Sequence, residues 1–296
     1  MSRYSFLITG GSSGLGLQIA VEALKAGHSV VATARNPTSA AQDHPEVQEL
    51  GGSWLKLDVT HADTKARVDK VVRENGINVL VNCAGYGILG SLEDTGEDEF
   101  AEQMDTNVLG TMRCIKGVLP HFRSLGTEGC ATIVNIGSIV SLTPFPATTA
   151  YAASKCAVDG MSEALAVEVG PLGIRVVLID FGIFRTNFLH SFTKPKAGLG
   201  EAYVGGPVDA TVSFLENLAG KQPGNPVLAA KRMVEVVDGT GLAKDMANLG
   251  YQRVLRVPLG SDSFRGVAAK LEDLVEVQKF ETLACSTDFA QDSVVP

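Results

Sequence analysis

Tyr151 and Lys155, in the run Tyr151-Ala152-Ala153-Ser154-Lys155, fall on one face of any helix that contains them. An ammonium beside a phenol favours the phenolate and is expected to lower the phenol's pKa from about 10 toward neutrality. A phenol tuned in this way exchanges a proton with a substrate oxygen. Taken alone the spacing is weak, because many helices carry such a pair by chance. Ser138 strengthens it. It follows the apolar run Thr132-Ile133-Val134-Asn135-Ile136, so a buried strand would present its hydroxyl at the carboxyl end, where a carbonyl can be polarised.

A second set of residues points to a dinucleotide. The apolar run Phe6-Leu7-Ile8 leads into Thr9-Gly10-Gly11-Ser12-Ser13-Gly14-Leu15-Gly16, and the residues after it have helical spacing. Glycines there let backbone approach a pyrophosphate, and the helix start supplies unpaired N–H groups and a positive dipole end. Gly10, Ser12 and Gly14 also spell G-x-S-x-G, the nucleophile turn of a hydrolase. So early a position leaves no room for the preceding strands and oxyanion loop that a hydrolase needs. Where an NAD site carries an acid for the adenosine ribose, this chain has Thr33-Ala34-Arg35-Asn36. Arg35 is placed to pair with a 2′-phosphate, so NADP(H) is the expected cofactor.

These residues need a scaffold, and the chain alternates in the manner that supplies one. Strand-like runs are expected at 6–8, 30–33, 54–57, 78–81, 132–136, 175–179 and 254–257. Helical spacing covers 15–26, 64–75, 97–123, 151–170 and 263–280. Strands alternating with helices imply an α/β fold, a doubly wound parallel sheet with helices on both faces. The alternation lapses from about 186 to 225, and the region 186–252 is expected to form loops and short helices over the substrate, with a polar tail at 284–296. No linker divides the 296 residues, which are read as one domain. Glycine is in excess, 32 residues, as a chain rich in close backbone approaches requires. A formal charge of −8 with no Lys/Arg cluster argues against nucleic acid. Five scattered cysteines without CxxC spacing argue for reduced thiols and against a zinc site, and no metal is expected. With no run long and apolar enough for a membrane span, a cytoplasmic protein without a membrane partner is expected.

In combination the motifs resemble the short-chain dehydrogenase/reductase family over nearly the whole chain. Thr9, Gly10, Gly14 and Gly16 match the family's TGxxxGxG loop, and Ser138, Tyr151 and Lys155 match its catalytic set. The resemblance implies further site residues. Asp58, followed by Val59, matches an acid beside the adenine; Asn82-Cys83-Ala84-Gly85 matches NNAG with Cys83 for an asparagine; Asn107 matches the asparagine of a water-linked proton relay. Gly182, Ile183 and Thr186 fall in the P-G-x-x-x-T segment beside the nicotinamide, with Phe181 in place of the proline. It implies a Rossmann-type fold, hydride exchange between NADP(H) and a carbonyl or alcohol carbon, and a homodimer or homotetramer. The apolar residues Phe184, Phe188, Leu189, Phe192, Leu199 and Tyr203, with Val140, Leu142 and Phe145, suit a lipophilic ketone. More loosely, the chain is similar to hydroxysteroid-dehydrogenase-like reductases, including those of fungal secondary metabolism. The alternative is a protein of this fold diverted to epimerisation or dehydration, or one that senses NADP. His190 is read as a loop residue, Ser141 as a lesser candidate than Ser138, and Cys156 as a small core residue.

Overall fold

The computed structural model describes residues 4–127, 130–246 and 255–287. Among them seven strands form one sheet: β1 Ser5–Ile8, β2 Ser29–Ala34, β3 Ser53–Lys56, β4 Val79–Asn82, β5 Thr132–Ile136, β6 Arg175–Phe181 and β7 Leu255–Leu259. Their order is β3-β2-β1-β4-β5-β6-β7, with every neighbouring pair parallel. This is the expected doubly wound α/β sheet. The strand order reverses between β1 and β4, and such a switch point opens a crevice at the strands' carboxyl ends.

The eleven α-helices of the described residues are α1 Gly14–Lys25, α2 Pro37–Asp43, α3 Glu46–Glu49, α4 Thr64–Glu74, α5 Glu97–Met104, α6 Gly110–Leu125, α7 Thr149–Val169, α8 Pro207–Leu218, α9 Pro226–Asp238, α10 Ser261–Glu276 and α11 Glu281–Cys285. Alternation along each strand sorts its side chains between two cores. Phe6 and Ile8 of β1 join a cluster with Leu17 and Ile19 of α1 and Met233 and Val234 of α9. Leu7 points the other way, to Val68 and Val72 of α4, Cys114, Val118 and Phe122 of α6, and Leu165 and Val169 of α7.

Two elements differ from the sequence reading. The single helix expected over 97–123 is interrupted by a π-helical turn, Asp105–Leu109, between α5 and α6. One extra residue in that turn rotates Asn107 into the interior, where it is 1% exposed. The region 186–252, expected to form loops and short helices over the substrate, is described to residue 246 and also contributes to the core. α9 within it is a core helix: Ala229, Ala230, Met233, Val234, Val236 and Val237 are buried. Its end signals are explicit in the sequence, with Asn225 accepting from the Val227 and Leu228 amides at 3.0 and 3.2 Å, Pro226 opening the helix, and Gly239 ending it at φ +71°. Val254 and residues 288–296, assigned above to the last strand and the tail, lie outside the described residues.

Helices α4 and α6 touch closely at Gly117, where a Cβ would lie 2.7 Å from Val68 and 2.9 Å from the Lys65 carbonyl. Gly117→Val should therefore force these helices apart and cost about 1–3 kcal/mol, read as a lowered midpoint in denaturant or thermal unfolding.

Candidate active site

At the switch point, the loop after β1 and the turn after β4 are held against each other. The Thr9 hydroxyl accepts from the Cys83 and Ala84 amides at 3.0 and 3.1 Å. Gly10, at φ +66°, brings its backbone so near this turn that a Cβ would lie 2.9 Å from the Ala84 Cα. A Cβ on Gly16 would sit 2.3 Å from the Gly10 carbonyl oxygen. The glycines thus serve close backbone packing and leave the start of α1 open. They border one end of a cavity of about 1390 Å³. Gly10, Ser12, Ser13, Gly14, Leu15 and Gly16 line it, with Arg35, Asp58, Val59, Ala84 and Gly85. This cradle fits a dinucleotide: bare backbone at a helix start for the pyrophosphate and an exposed guanidinium at the adenosine end. The Asp58 carboxylate accepts from the Thr60 amide and hydroxyl at 3.0 and 2.8 Å. Partial burial opposes its ionisation, but these hydrogen bonds and the nearby His61 and Arg35 hold its pKa below the usual carboxylate value.

Two residues expected to touch cofactor do not line the cavity. Thr9 is 1% exposed and is spent on the turn just described. Asn82 is buried, and its amide donates to Asn135 Oδ1 at 2.8 Å, while Asn135 donates to the Ser162 hydroxyl at 2.8 Å. Both are strand-end residues whose side chains point into the sheet, so they position the backbone and leave the contacts to their neighbours.

The three residues expected to handle the proton share the cavity wall. Ser138, Tyr151 and Lys155 all line the cavity, Ser138 from the end of β5 and the other two from α7. The Ser138 hydroxyl beside the Tyr151 phenol favours its phenolate. Lys155 Nζ donates to the Ile136 carbonyl at 2.8 Å and lies 5.7 Å from the centroid of the Tyr151 ring. The expected lowering of the phenol pKa is not present in this arrangement. Burial raises the Tyr151 pKa, outweighing Ser138, and burial also lowers that of Lys155. Helical spacing aligned the two side chains, but enclosure works against the charge on each.

Asn107 sits behind this wall. Its Oδ1 accepts from the Tyr86 amide at 3.1 Å, and its Nδ2 donates to the Tyr86 carbonyl and the Ser154 hydroxyl, each at 2.9 Å. It therefore braces the Gly85–Tyr86 turn against α7. Ser141 turns away from the cavity, to the Ser138 carbonyl and Asp159. Cys156, expected in the core, is exposed on α7. His190 is exposed and does not line the cavity.

The far part of the cavity is aromatic. Phe188 and Phe192 lie 5.7 and 5.9 Å from the Tyr151 ring, centroid to centroid, and 4.9 Å from each other. Val140, Phe145, Phe184, Leu189 and Leu215 extend this wall. Leu142, Leu199 and Tyr203 do not line it; Tyr203 instead donates to Glu93 at 2.9 Å. The segment bearing Phe192 is strapped down by backbone hydrogen bonds, Thr193 N to Gly87 O at 3.0 Å and Leu89 N to Thr193 O at 2.9 Å. Gly87 leaves the ring room, since a Cβ there would lie 2.1 Å from it.

Sequence reasoning missed Asp262, at the start of α10. Its carboxylate accepts from the Ile183 amide at 2.6 Å and fills the space beside Gly182, where a Cβ would come within 2.0 Å of it. Phe181, in the proline's position, packs edge-on to Phe184 at 5.4 Å. Gly182, Ile183 and Thr186 line the cavity as expected. An aspartate at a helix start carries no signal of an amide held from another loop. Asp262→Ala should release that amide, a charged hydrogen bond of about 1.5–3 kcal/mol. We expect the dissociation constant for the reduced nicotinamide cofactor, read by its fluorescence, to rise about tenfold.

Comparison with known proteins is consistent with this geometry. The sequence model described as short chain dehydrogenase matches residues 5–197. The chain is 44% identical over 220 residues to the oxidoreductase claN of Passalora fulva, covering 74% of this chain and 99% of that one. It is 30% identical over 285 residues to the oxidoreductase calM of Penicillium decumbens, covering 95% and 90%. Human 17-beta-hydroxysteroid dehydrogenase type 1 is 36% identical over 197 residues, 64% of this chain and 59% of that protein. A solved short-chain dehydrogenase from Streptomyces avermitilis superposes with a TM-score of 0.78 at 30% identity, covering 96% of this chain and all of that one. The match over most of the sequence and the shared fold make this chain an oxidoreductase of the short-chain dehydrogenase/reductase family.

Proposed function

We propose that the chain is an NADP(H)-dependent ketoreductase for a lipophilic, medium-to-large carbonyl substrate. The observation that carries this reading is the continuity of one cavity from the Gly10–Gly16 cradle, past Tyr151, to a wall of phenylalanines. A hydride donor at one end, a proton donor in the middle and an apolar room at the other match a ketone reduction. The match to a hydroxysteroid dehydrogenase supports a substrate of that bulk. The two fungal oxidoreductases support a place among biosynthetic reductases.

The nicotinamide supplies the hydride when bound. The protein's part is to place the carbonyl and provide a proton. Ser138 donates to the substrate oxygen as charge develops on it, and Tyr151 gives that oxygen its proton. Lys155, charged and next to the phenol, stabilises the phenolate left behind, countering the burial that opposes it. Asn107 keeps the Gly85–Tyr86 turn and α7 in register and serves the resupply of protons toward Lys155. Phe188 and Phe192 exclude water from the reacting carbon and receive the apolar body of the substrate. In the opposite direction Tyr151 takes the proton. Arg35 favours the phosphorylated ribose, and its exposure allows it to swing onto a 2′-phosphate. The expected assembly is a homodimer or homotetramer built on the helices between 97 and 169, to be read by light scattering.

Tyr151→Phe removes the proton donor and little else. Turnover of an aryl ketone with NADPH should fall by about 100-fold or more while NADPH still binds. Wild-type turnover in this variant would remove the mechanism. Arg35→Ala should cost about tenfold or more in kcat/KM for NADPH and leave that for NADH nearly unchanged. Equal efficiency with both cofactors in the wild-type enzyme would count against Arg35. Transfer of label from deuterated NADPH to product separates reduction from epimerisation or dehydration.

A further inference from the structure

Below the site lies a buried cluster that the reaction as described does not use. Asp159 is one helical turn after Lys155 on α7, Asp180 is on β6 and Arg256 is on β7. Asp180 is 0% exposed and Asp159 6%. A single guanidinium nitrogen, Arg256 Nη1, donates to both, to Asp159 Oδ2 at 2.9 Å and Asp180 Oδ2 at 2.6 Å. The other, Nη2, is taken at 3.0 Å by Glu163, whose carboxylate is exposed. The remaining oxygens, Asp159 Oδ1 and Asp180 Oδ1, are buried without a hydrogen-bond partner. Both border the same point, for a Cβ on Gly137 would lie 2.2 Å from Asp180 Oδ1 and 3.3 Å from Asp159 Oδ1. The charged or titratable groups facing the pair are Arg256 from β7 and Lys155 and Cys156 from α7, the Cys156 thiol donating to the Ser141 carbonyl at 3.2 Å, with Glu163 beyond Arg256. Lys155 donates to Ile136, leaving Arg256 as the direct partner of two carboxylates.

Ser141 shows how that imbalance is resolved. Its hydroxyl is 2.8 Å from the Ser138 carbonyl and 2.6 Å from Asp159 Oδ2. A hydroxyl has one proton and cannot donate to both. If Asp159 is protonated, its O–H donates to Ser141 Oγ and Ser141 donates to the Ser138 carbonyl, so both short contacts are hydrogen bonds. Two carboxylates in one enclosed site also resist ionising together. We propose that Asp159 and Asp180 share one proton near neutral pH, and that this proton, relayed through Ser141, holds the backbone of Ser138 in place. Burial and the repulsion between the two carboxylates push the Asp180 carboxyl up to about 7, and burial raises Asp159 as well, so the one proton belongs to the pair and sits on Asp159 when Ser141 accepts it. Asp159, Asp180 and Ser141 are positioning residues. Loss of the shared proton at higher pH would turn Ser141 toward the carboxylate, and away from the backbone that presents the Ser138 hydroxyl. Only this consequence for catalysis rests on the reductase reading; the shared proton does not.

The proton can be observed without substrate. The full chain, labelled with 13C at its aspartate carboxyls, is titrated by NMR from about pH 5 to about pH 9. One buried carboxyl is expected to ionise near neutrality. Asp180→Asn and Asp159→Asn should each move that titration down, out of the neutral range, because the remaining aspartate keeps Arg256 and loses the repulsion of the other carboxylate, although burial still holds it above the ordinary carboxylate value. A wild-type spectrum with every aspartate ionised at about pH 6 overturns the proposal, and so does a neutral titration that persists in both variants. Should the variants not fold, the wild-type titration decides the first point. Ser141→Ala tests the relay. Removing an acceptor from a protonated Asp159 lowers the titration midpoint, by on the order of half a unit or more. An unchanged or raised midpoint means that Ser141 donates to the carboxylate, and overturns the link to Ser138.

Discussion

The close approach of the Gly10 loop to the Cys83–Ala84 turn is the constraint on which the site depends. Both segments leave parallel strands at the point where strand order reverses, and there is no space between them for a side chain. Thr9 closes the gap from inside the sheet, its hydroxyl accepting two amides that would otherwise be unpaired. A crevice held in this way has closely packed backbone walls at this end.

From that fixed end the site is assembled in depth. Residues facing the cavity are held by neighbours: Gly85–Tyr86 by Asn107, Ile183 by Asp262, Ser138 by the Ser141–Asp159 pair, and Phe192 by the hollow at Gly87. Several of these supports are charged or amide groups in a low-dielectric interior, where a satisfied hydrogen bond is strong and a missing one costly. Asn107, Ser141 and Asp159 thus support the site from behind its wall, outside the cavity lining. The substrate end is built differently, from aromatic rings on a strap whose backbone is pinned at residues 87–89. Rings of that kind adapt to apolar bulk more readily than a polar pocket would.

The sequence signals differed in how well they translated. The Gly10–Gly16 loop, Ser138, Tyr151, Lys155, Gly182 and Thr186 occupy one cavity because strand ends and helical spacing are local properties. Thr9 and Asn82 were legible as part of the site but not in their role, since the motif does not reveal which side of a strand end faces solvent. Asp262, Arg256 and the Asp159–Asp180 pair were invisible for another reason. Each partner lies on a different element, 76 residues apart in the case of Asp180 and Arg256, and carries no recurring spacing. α9 is the instructive case in reverse: Asn225-Pro226 and Gly239 mark its ends plainly, but the lapse in strand alternation around it obscured them.

The chain by itself determined the alternation of strands and helices, the glycine loop after β1 and the types of residue that gather in the cavity, because periodicity, glycine placement and side-chain chemistry act over a few residues. The tertiary structure decided what those groups become. It buries Tyr151 and raises its pKa where an adjacent lysine alone would lower it, and it inserts a π turn that directs Asn107 inward. It also brings two carboxylates to one arginine beneath Ser138. Desolvation and long-range charge pairing depend on which elements enclose a group, and only the folded chain sets that.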